Sequence, residues 1–143
     1  MKAAIDLDFA DGTYTFDLKL PQLAELQEKC GAGVFAIYGR VMRGRGVLDG
    51  EPIGMAWQGE AFDIDLFETI RLGLIGGGIP ATEAKKLVER YCHPAPLRES
   101  WALAAAILMA RVEGYDPPKK AAPDEVPASD TTSTLDGSSQ TAP

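Results

Sequence analysis

The residues that come closest to a chemical motif form the glycine-rich run GLIGGG, from Gly73 to Gly78. Phosphate-binding loops use glycines because backbone N–H groups must approach the phosphate oxygens closely. A dinucleotide-binding loop, however, has the pattern GxGxxG between a strand and a helix, and a P-loop carries a Lys-Ser or Lys-Thr pair. Here the run ends an apolar segment of helical period, and no lysine follows at the required spacing. It therefore predicts a helix end, and a small nucleotide-binding or enzymatic domain is the less favoured alternative.

The other reactive side chains do not assemble into a site by their spacing. Cys92 and the single histidine, His93, supply two ligands, whereas a structural zinc site needs about four. A histidine base would also need a nucleophile and an orienting carboxylate, and no spacing suggests them. The N-terminal carboxylates alternate along a strand pattern or fall in a turn, on the solvent face: Asp6, Asp8, Asp11 and Asp17. We predict no catalytic, cofactor-binding or metal-binding residues.

The composition is that of one acidic domain. The chain has 143 residues, a formal net charge of −7 and a pI near 4.7. An acidic surface repels phosphate backbones, so nucleic acid is not expected as a partner. Arg40, Arg43 and Arg45 are a local exception that could hold an anion or an acidic segment of a partner. A solvated loop is the favoured interpretation of these three arginines.

The sequence contains no membrane or secretion signal. No apolar run reaches the roughly 20 residues that span a bilayer. The N-terminus becomes acidic and alternating directly after Lys2, unlike a signal peptide. We therefore expect a cytoplasmic protein with no membrane partner. Cys30 and Cys92 lie in no disulfide or metal spacing, so both are expected to be free thiols.

The segment Phe62–Gly78 predicts a helix around which the domain is organised. Its apolar residues recur at spacings of three and four and predict a stripe that faces the core: Phe62, Leu66, Phe67, Ile70 and Leu74. Its charged residues fall on another side, where we expect water to reach them: Asp65, Glu68 and Arg71. Asp65 and Glu68 also stand three apart, close to a capping-box arrangement at a helix start.

The other segments complete an α+β pattern. Residues 3–20 alternate apolar and polar on either side of Ala10-Asp11-Gly12, which predicts a β-hairpin with one buried face. A helical period recurs in 21–31, in 83–91 with Thr82 as N-cap, and in 97–113, while 34–42 suits a helix or a strand. Residues 43–60 contain five glycines and a proline and predict a loop, which could contain a short extended piece around Ile53–Trp57. We predict an N-terminal antiparallel β-hairpin packed on about four helices.

The chain divides into a single domain over residues 1–115 and a tail over residues 116–143. The tail consists mainly of Pro, Ala, Ser, Thr and Asp, with hardly any large apolar side chain. Such a segment cannot bury enough apolar surface to offset its ordering entropy. We therefore expect the tail to be disordered.

Several motifs, in this order, carry a family resemblance. They are the hairpin DFADGTYTFDL, LPQLAELQEKCGAG, DLFETIRLGLIGGG, KKLVERY, PL and AAAILMARVEG. Together they resemble the small proteins of the tail module of gene transfer agents and related siphophages, described as tail tube proteins or tail assembly chaperones. The resemblance covers about residues 5–115, and ELQEKCGAG and ETIRLGLIGGG are its most specific parts. The glycine-rich segment 43–60 fits least well.

The resemblance implies a non-enzymatic role in tail assembly. A chaperone of this class is thought to coat the long, helical tape-measure protein until the tail tube polymerises around it. The implied partners are therefore the tape-measure protein, the tail tube protein or further copies of this chain. The alternative is a structural tail component that is retained in the particle and is thus virion-associated. The residues that we expect to contact a partner, although core packing is the favoured role for each, are Met55, Trp57, Trp101 and Met109.

Overall fold

The structure is a computed structural model that describes residues 1–48 and 51–118. The described chain forms two hairpins and five α-helices, with a short 3-10 turn at Ala56–Gln58. In chain order the elements are β1 Ala4–Phe9, β2 Gly12–Asp17, α1 Leu20–Cys30, α2 Val34–Met42, β3 Arg45–Leu48, β4 Glu51–Gly54, α3 Asp63–Gly76, α4 Ala81–Tyr91 and α5 Leu97–Glu113. The predicted α+β fold is confirmed. The described part has five helices where about four were predicted, because residues 34–42 do form a helix.

The N-terminal hairpin forms as its alternation predicts. Ile5 pairs with Phe16 and Leu7 with Tyr14, which puts these apolar side chains on one face. Ile5 and Phe16 are buried, and Ala10 in the turn has a φ of 57°, in the left-handed region that tight hairpin turns require. The second strand is shorter than predicted. It ends at Asp17, and α1 begins at Leu20.

The helix α3 lies at the centre of the domain, as its sequence predicts. It packs against α1, α4, α5 and β2. Leu66, Ile70, Leu72 and Leu74 are buried on it, so it is covered on more sides than the predicted single stripe. Phe62 does not belong to that stripe. It precedes the first helical turn and leaves 59% of its surface exposed, because an N-cap residue lies outside the helical face.

The charged side of α3 is not solvated, which corrects the prediction. Asp65 is fully buried, and its carboxylate accepts a hydrogen bond from the Phe62 backbone N–H at 2.9 Å. The capping pair is thus Phe62 with Asp65, not Asp65 with Glu68. The side chains of Glu68 and Arg71 are 17% and 18% exposed, and Arg71 bridges Glu68 and Glu25 on α1. The charged side chains on this side of α3 therefore lie between α3 and its neighbours α1 and α2.

The glycines at the end of α3 allow β2 to approach it closely. A Cβ atom at Gly76 would collide with the Asp17 carbonyl, and a Cβ atom at Gly77 would collide with the Thr15 carbonyl. The predicted helix end is confirmed, and Gly78 has a φ of 115°. The run therefore does two things: it ends α3 and it forms the surface on which the outer edge of β2 lies.

The prediction of a loop over residues 43–60 is wrong, because β3 and β4 form a second hairpin there. Arg45 pairs with Gly54, and the Met55 N–H donates to the Gly44 carbonyl oxygen at 2.6 Å, closing the base of the hairpin. Glycine bonds through its backbone as other residues do, but it supplies no side chain to reveal the alternation of a strand. Residues 49 and 50 of the predicted loop lie outside the described residues.

The C-terminal half follows the prediction with one shift. The helix α4 begins at Ala81 with Pro80 at the N-cap position, so Thr82 lies within the helix and does not cap it. No helix in the described ranges combines the length and apolar character that crossing a membrane requires. Residues 119–143, most of the predicted tail, lie outside the described residues, and the division at residue 115 stays a prediction.

Candidate functional site

An apolar groove lies beside the 3-10 turn, at the first turns of α3 and α5. It has a volume of about 200 Å³. Among the described residues, the charged side chains that line it are Asp63 and Arg98. Its apolar lining is Ala56, Ala61, Leu66, Leu97 and Trp101.

Trp101 forms a fixed wall of this groove. It is 7% exposed, and its indole N–H donates to the Val41 carbonyl oxygen at 2.6 Å, which ties α5 to α2. The guanidinium carbons of Arg45 and Arg98 lie 4.9 and 5.9 Å from its ring centroid, within cation–π range. Desolvation lowers the pKa of Arg45, and the neighbouring Arg98 lowers it further. Two positive charges thus lie on one aromatic ring.

Large apolar side chains project next to the groove. Trp57 is 80% exposed and Phe62 59%, and in sequence they directly follow the lining residues Ala56 and Ala61. Leu97, which lines the groove itself, is 53% exposed. A contiguous exposed apolar patch on a folded domain is a candidate interaction site.

The structure places the four predicted contact residues differently. Trp101 lines the groove. Trp57 lies in the 3-10 turn whose first residue, Ala56, lines it, and Met55 is the N-cap residue of that turn. Met109 is 38% exposed further along α5 and does not line the groove. Sequence reasoning assigned Phe62 and Leu97 to the core. Their positions could have indicated otherwise, because Phe62 precedes α3 and Leu97 is the first residue of α5. At a helix start the three- and four-residue spacing of apolar residues does not determine which side chains are buried.

The three predicted arginines do not form one solvated cluster. Arg40 lies on α2, where its side chain is 23% exposed and pairs with Asp65 at 2.7 Å. Its guanidinium also lies 5.1 Å from the Phe62 ring centroid, beneath the exposed aromatic. Arg43 forms an exposed pair with Glu60 at 3.3 Å. Of these three arginines, Arg45 is the one that lies over the Trp101 ring.

Cys30 lies beside the Arg40–Asp65 pair and is 8% exposed. Burial, together with the nearby Asp65 carboxylate, raises the pKa of its thiol from 9.0 to about 12. A thiol whose pKa is raised on folding contributes its full stability below pH 9.0 and loses it as the pH rises from 9.0 to about 12. Cys30 and Cys92 are both free, as predicted, and both are buried.

We therefore expect the Cys30→Ala variant to lose less stability on going from about pH 8 to about pH 10.5 than the unsubstituted chain does, because the variant has no thiol there to ionise. Urea unfolding at the two pH values measures this difference. The variant starts from a lower stability, so the comparison is between slopes. Parallel losses in the two proteins would show that the thiol is not protected by the fold.

The glycine run and the Cys92–His93 pair make contacts within the fold. The N–H groups of Gly77 and Gly78 donate within the end of α3, to Gly73 and Ile75 carbonyls at 2.9 and 3.0 Å, so they are not directed at a ligand. The His93 ring packs on Phe67 at a centroid distance of 4.9 Å. No group of three or more His, Cys, Asp or Glu side chains among the described residues is arranged to hold a metal ion.

Comparison with protein families gives one match that covers about three quarters of the chain. The family model described as phage tail tube protein, GTA-gp10, matches residues 2–50 and 57–114. The chain belongs to this phage tail tube family. The resemblance to gene transfer agent and phage tail-module proteins is thereby confirmed. Searches of curated proteins and of solved structures found no match.

The family match covers most of the groove in this tail tube family protein, since Ala56 alone of its described lining residues falls outside the matched segments. Residues 51–56 fall between the two matched segments, and they hold β4 and the first residue of the 3-10 turn. Trp57, Phe62, Leu97 and Trp101 lie inside the match. The exposed aromatics and the wall formed by α3 and α5 thus belong to the part that the family model describes, whereas β4 does not.

Proposed function

We propose that this protein acts in phage or gene transfer agent tail assembly as a chaperone of the tape-measure protein. It holds an amphipathic helix of that protein through the apolar groove at the start of α3 and α5. The observation that carries the proposal is an apolar groove lined by the exposed Leu97, with the exposed Trp57 and Phe62 next in sequence to its lining residues Ala56 and Ala61. Its site of action is the cytoplasm of the host cell.

Helix-in-groove contact fits the shape and chemistry of this surface. An amphipathic helix presents apolar side chains at spacings of three, four and seven, and a groove of this size takes side chains from one face of it. Burying a large apolar side chain that is exposed in the free protein stabilises a complex by about 1.5–3 kcal/mol before the costs of association. Trp101 is held in place by its hydrogen bond to Val41, so the wall that meets the helix is already ordered.

A second candidate is a structural tail component that stays in the finished particle. The family description, phage tail tube protein, favours it. The partner is then the tail tube protein or another copy of this chain, and the protein is virion-associated. Persistence in purified particles separates the candidates, because a chaperone leaves before the tail is complete. Neither candidate involves catalysis.

The test is co-expression of the full-length chain with the tape-measure protein from the same gene cluster, followed by affinity pull-down. We expect the tape-measure protein to be soluble only in complex with this chain. We expect Trp57→Ala to reduce the recovered complex about tenfold or more, as truncation of an exposed aromatic anchor does. The stability of the free domain should change by no more than about 0.5 kcal/mol, because Trp57 is 80% exposed.

Phe35→Ala is the matched control. Phe35 is an aromatic residue on α2 that is 76% exposed and does not line the groove, so its removal should leave the complex intact. Equal losses in the two variants would show that apolar exposure in general, and not this groove, binds the tape-measure protein. An insoluble tape-measure protein in the presence of this chain would overturn the chaperone proposal. Recovery of the chain from purified tails would then support the structural candidate.

A further inference from the structure

The N-terminal hairpin has one covered edge and one open edge. The outer edge of β2 lies on Gly76 and Gly77 at the end of α3. On the other side, β1 pairs only with β2 among the strands of the described chain. Natural proteins usually cover, shorten or charge an exposed strand edge, because its unpaired backbone groups can bind another strand.

The register identifies the backbone groups that face outward on β1. The two-residue turn makes Phe9 and Gly12 a hydrogen-bonded pair. Along an antiparallel ladder, hydrogen-bonded pairs alternate with pairs whose N–H and C=O groups point away from the partner strand. Ile5 and Leu7 are thus hydrogen-bonded to β2. The N–H and C=O groups that point away from β2 belong to the residues between them and beside them, Ala4, Asp6 and Asp8.

One residue of this edge already binds a backbone segment. Lys2 has the same phase as Ala4, and it exchanges two hydrogen bonds of 2.8 Å with Tyr115 in an antiparallel bridge. The bridge shows that the backbone directly before β1 pairs with an antiparallel segment on the side that faces away from β2. The chain that follows Tyr115 runs past Met1, where Asp116 pairs with the N-terminal amine, and so away from the edge.

A groove between β1 and α5 lies beside the end of the open edge that is nearest the hairpin turn. It has a volume of about 410 Å³ and is lined by Leu7 and Phe9 on the hairpin and by Ala102 and Ala106 on α5. The small alanine side chains leave room above α5. A strand added to β1 would place alternate side chains into this groove and the others on the solvent face.

The charge of the edge restricts which strand can be added. Asp6 and Asp8 are exposed, and their carboxylates are held on the solvent face by hydrogen bonds from Thr15 and Thr13 at 2.6 and 2.8 Å. Glu99 adds a third acid beside the groove. A second copy of β1 would bring aspartates directly against aspartates, which destabilises strand pairing, whereas Lys or Arg at those positions stabilises it.

We propose that the open edge of β1 is a strand-addition site for an extended basic segment of a partner protein, with Lys or Arg at alternate positions and apolar residues between them. The backbone groups of Ala4, Asp6 and Asp8 bind the added strand, and the aspartate side chains select for positive charge. The site lies on another part of α5 than the apolar groove of the proposed chaperone function, and it does not depend on that function.

The test uses the full-length, isotope-labelled chain and a ten-residue peptide of alternating lysine and valine, at physiological salt. We expect chemical-shift changes and slowed hydrogen exchange at the amides of Ala4, Asp6 and Asp8, because only strand addition protects these outward-facing groups. A peptide of alternating glutamate and valine should cause neither effect.

Two sets of variants separate charge from backbone pairing. The double substitution Asp6→Lys with Asp8→Lys should weaken binding of the basic peptide about tenfold or more. Glu28→Lys with Glu89→Lys makes the same charge change at exposed sites on α1 and α4 and should not weaken it to that extent. Asp6→Pro removes an outward N–H that the hairpin does not use, so it should weaken binding more than Asp6→Asn does.

Several results would overturn the proposal. Equal weakening by the two charge-reversal pairs would show non-specific attraction to an acidic protein. Protection of the Asp6 and Asp8 amides without peptide would mean that another segment already occupies the edge. If that protection depends on protein concentration the occupant is a second copy, and if it does not the occupant is the chain's own C-terminal segment. Peptide binding without protection of these amides would exclude strand addition.

Discussion

Replacing Asp65 with alanine is expected to lower the free energy of unfolding by about 3–5 kcal/mol. Asp65 is fully buried, and its carboxylate accepts hydrogen bonds from the Arg40 guanidinium at 2.7 Å and from the Phe62 N–H at 2.9 Å. Arg40 in turn donates to the Cys30 carbonyl oxygen at 3.4 Å. The pair thus joins the end of α1, α2 and the start of α3. Alanine would leave a largely buried guanidinium and a backbone N–H without their acceptor. Urea unfolding measures the loss.

An exposed ion pair on α4 is the control for Asp65→Ala. Lys85 and Glu89 lie 3.8 Å apart with exposed side chains, so Glu89→Ala should change stability by no more than about 0.5 kcal/mol. If the large effect comes from an unpaired buried charge, Arg40→Met combined with Asp65→Asn should cost less than the two single changes together. Two results would contradict the conclusion that this buried pair holds α1, α2 and α3 together: single-variant stability losses that simply add in the double variant, or a loss below about 1 kcal/mol for Asp65→Ala.

The parts of the fold that the sequence predicts well are held by local patterns. The alternation on either side of Ala10 predicts the first hairpin, and the spacing of Leu66, Ile70 and Leu74 predicts the central helix. Gly31, with a φ of 66°, and Gly114, with a φ of 94°, end α1 and α5 where the sequence places those ends. In each of these elements the residues that determine the structure are close neighbours in the chain.

Most of the failures concern contacts between distant segments. The partner of Asp65 stands 25 positions earlier in the chain, so the spacing within α3 gave no sign that the carboxylate would be buried. The groove likewise combines the segment before α3 with the start of α5, and Leu97 comes to line one groove with Ala56 and Ala61 only when these segments meet. The second hairpin was missed for a local reason, since its glycines supply no side-chain alternation.

The glycine run shows how one sequence signal can have two physical causes. Ending a helix requires a flexible residue only at or after the last turn, and Gly78 serves that purpose with its positive φ. Gly73 and Gly76 lie inside α3, where glycine is destabilising relative to alanine by about 0.5–1 kcal/mol. Their presence is explained by the hairpin, because a Cβ at Gly73 would lie 3.2 Å from the Phe16 ring and one at Gly76 would collide with β2.

Gly76→Ala is therefore expected to lower the free energy of unfolding by about 3 kcal/mol, although alanine is the better helix former. The new methyl group would meet the backbone carbonyl of Asp17, which cannot move unless the whole outer edge of β2 shifts. Urea unfolding gives the stability, and hydrogen exchange should show that the amides of β2 lose protection before those of α1. The reason is that the substitution disturbs the contact between β2 and the end of α3.

Gly39→Ala is the matched control for this substitution, because Gly39 lies within α2 and a Cβ there would meet no atom within 4 Å. This variant should be more stable than the unsubstituted chain by about 0.5–1 kcal/mol, the ordinary gain for glycine to alanine in a helix. The two identical chemical changes should thus act in opposite directions. If Gly76→Ala also stabilised the protein, the run would be only a helix end, and β2 would be attached to α3 by its apolar face alone.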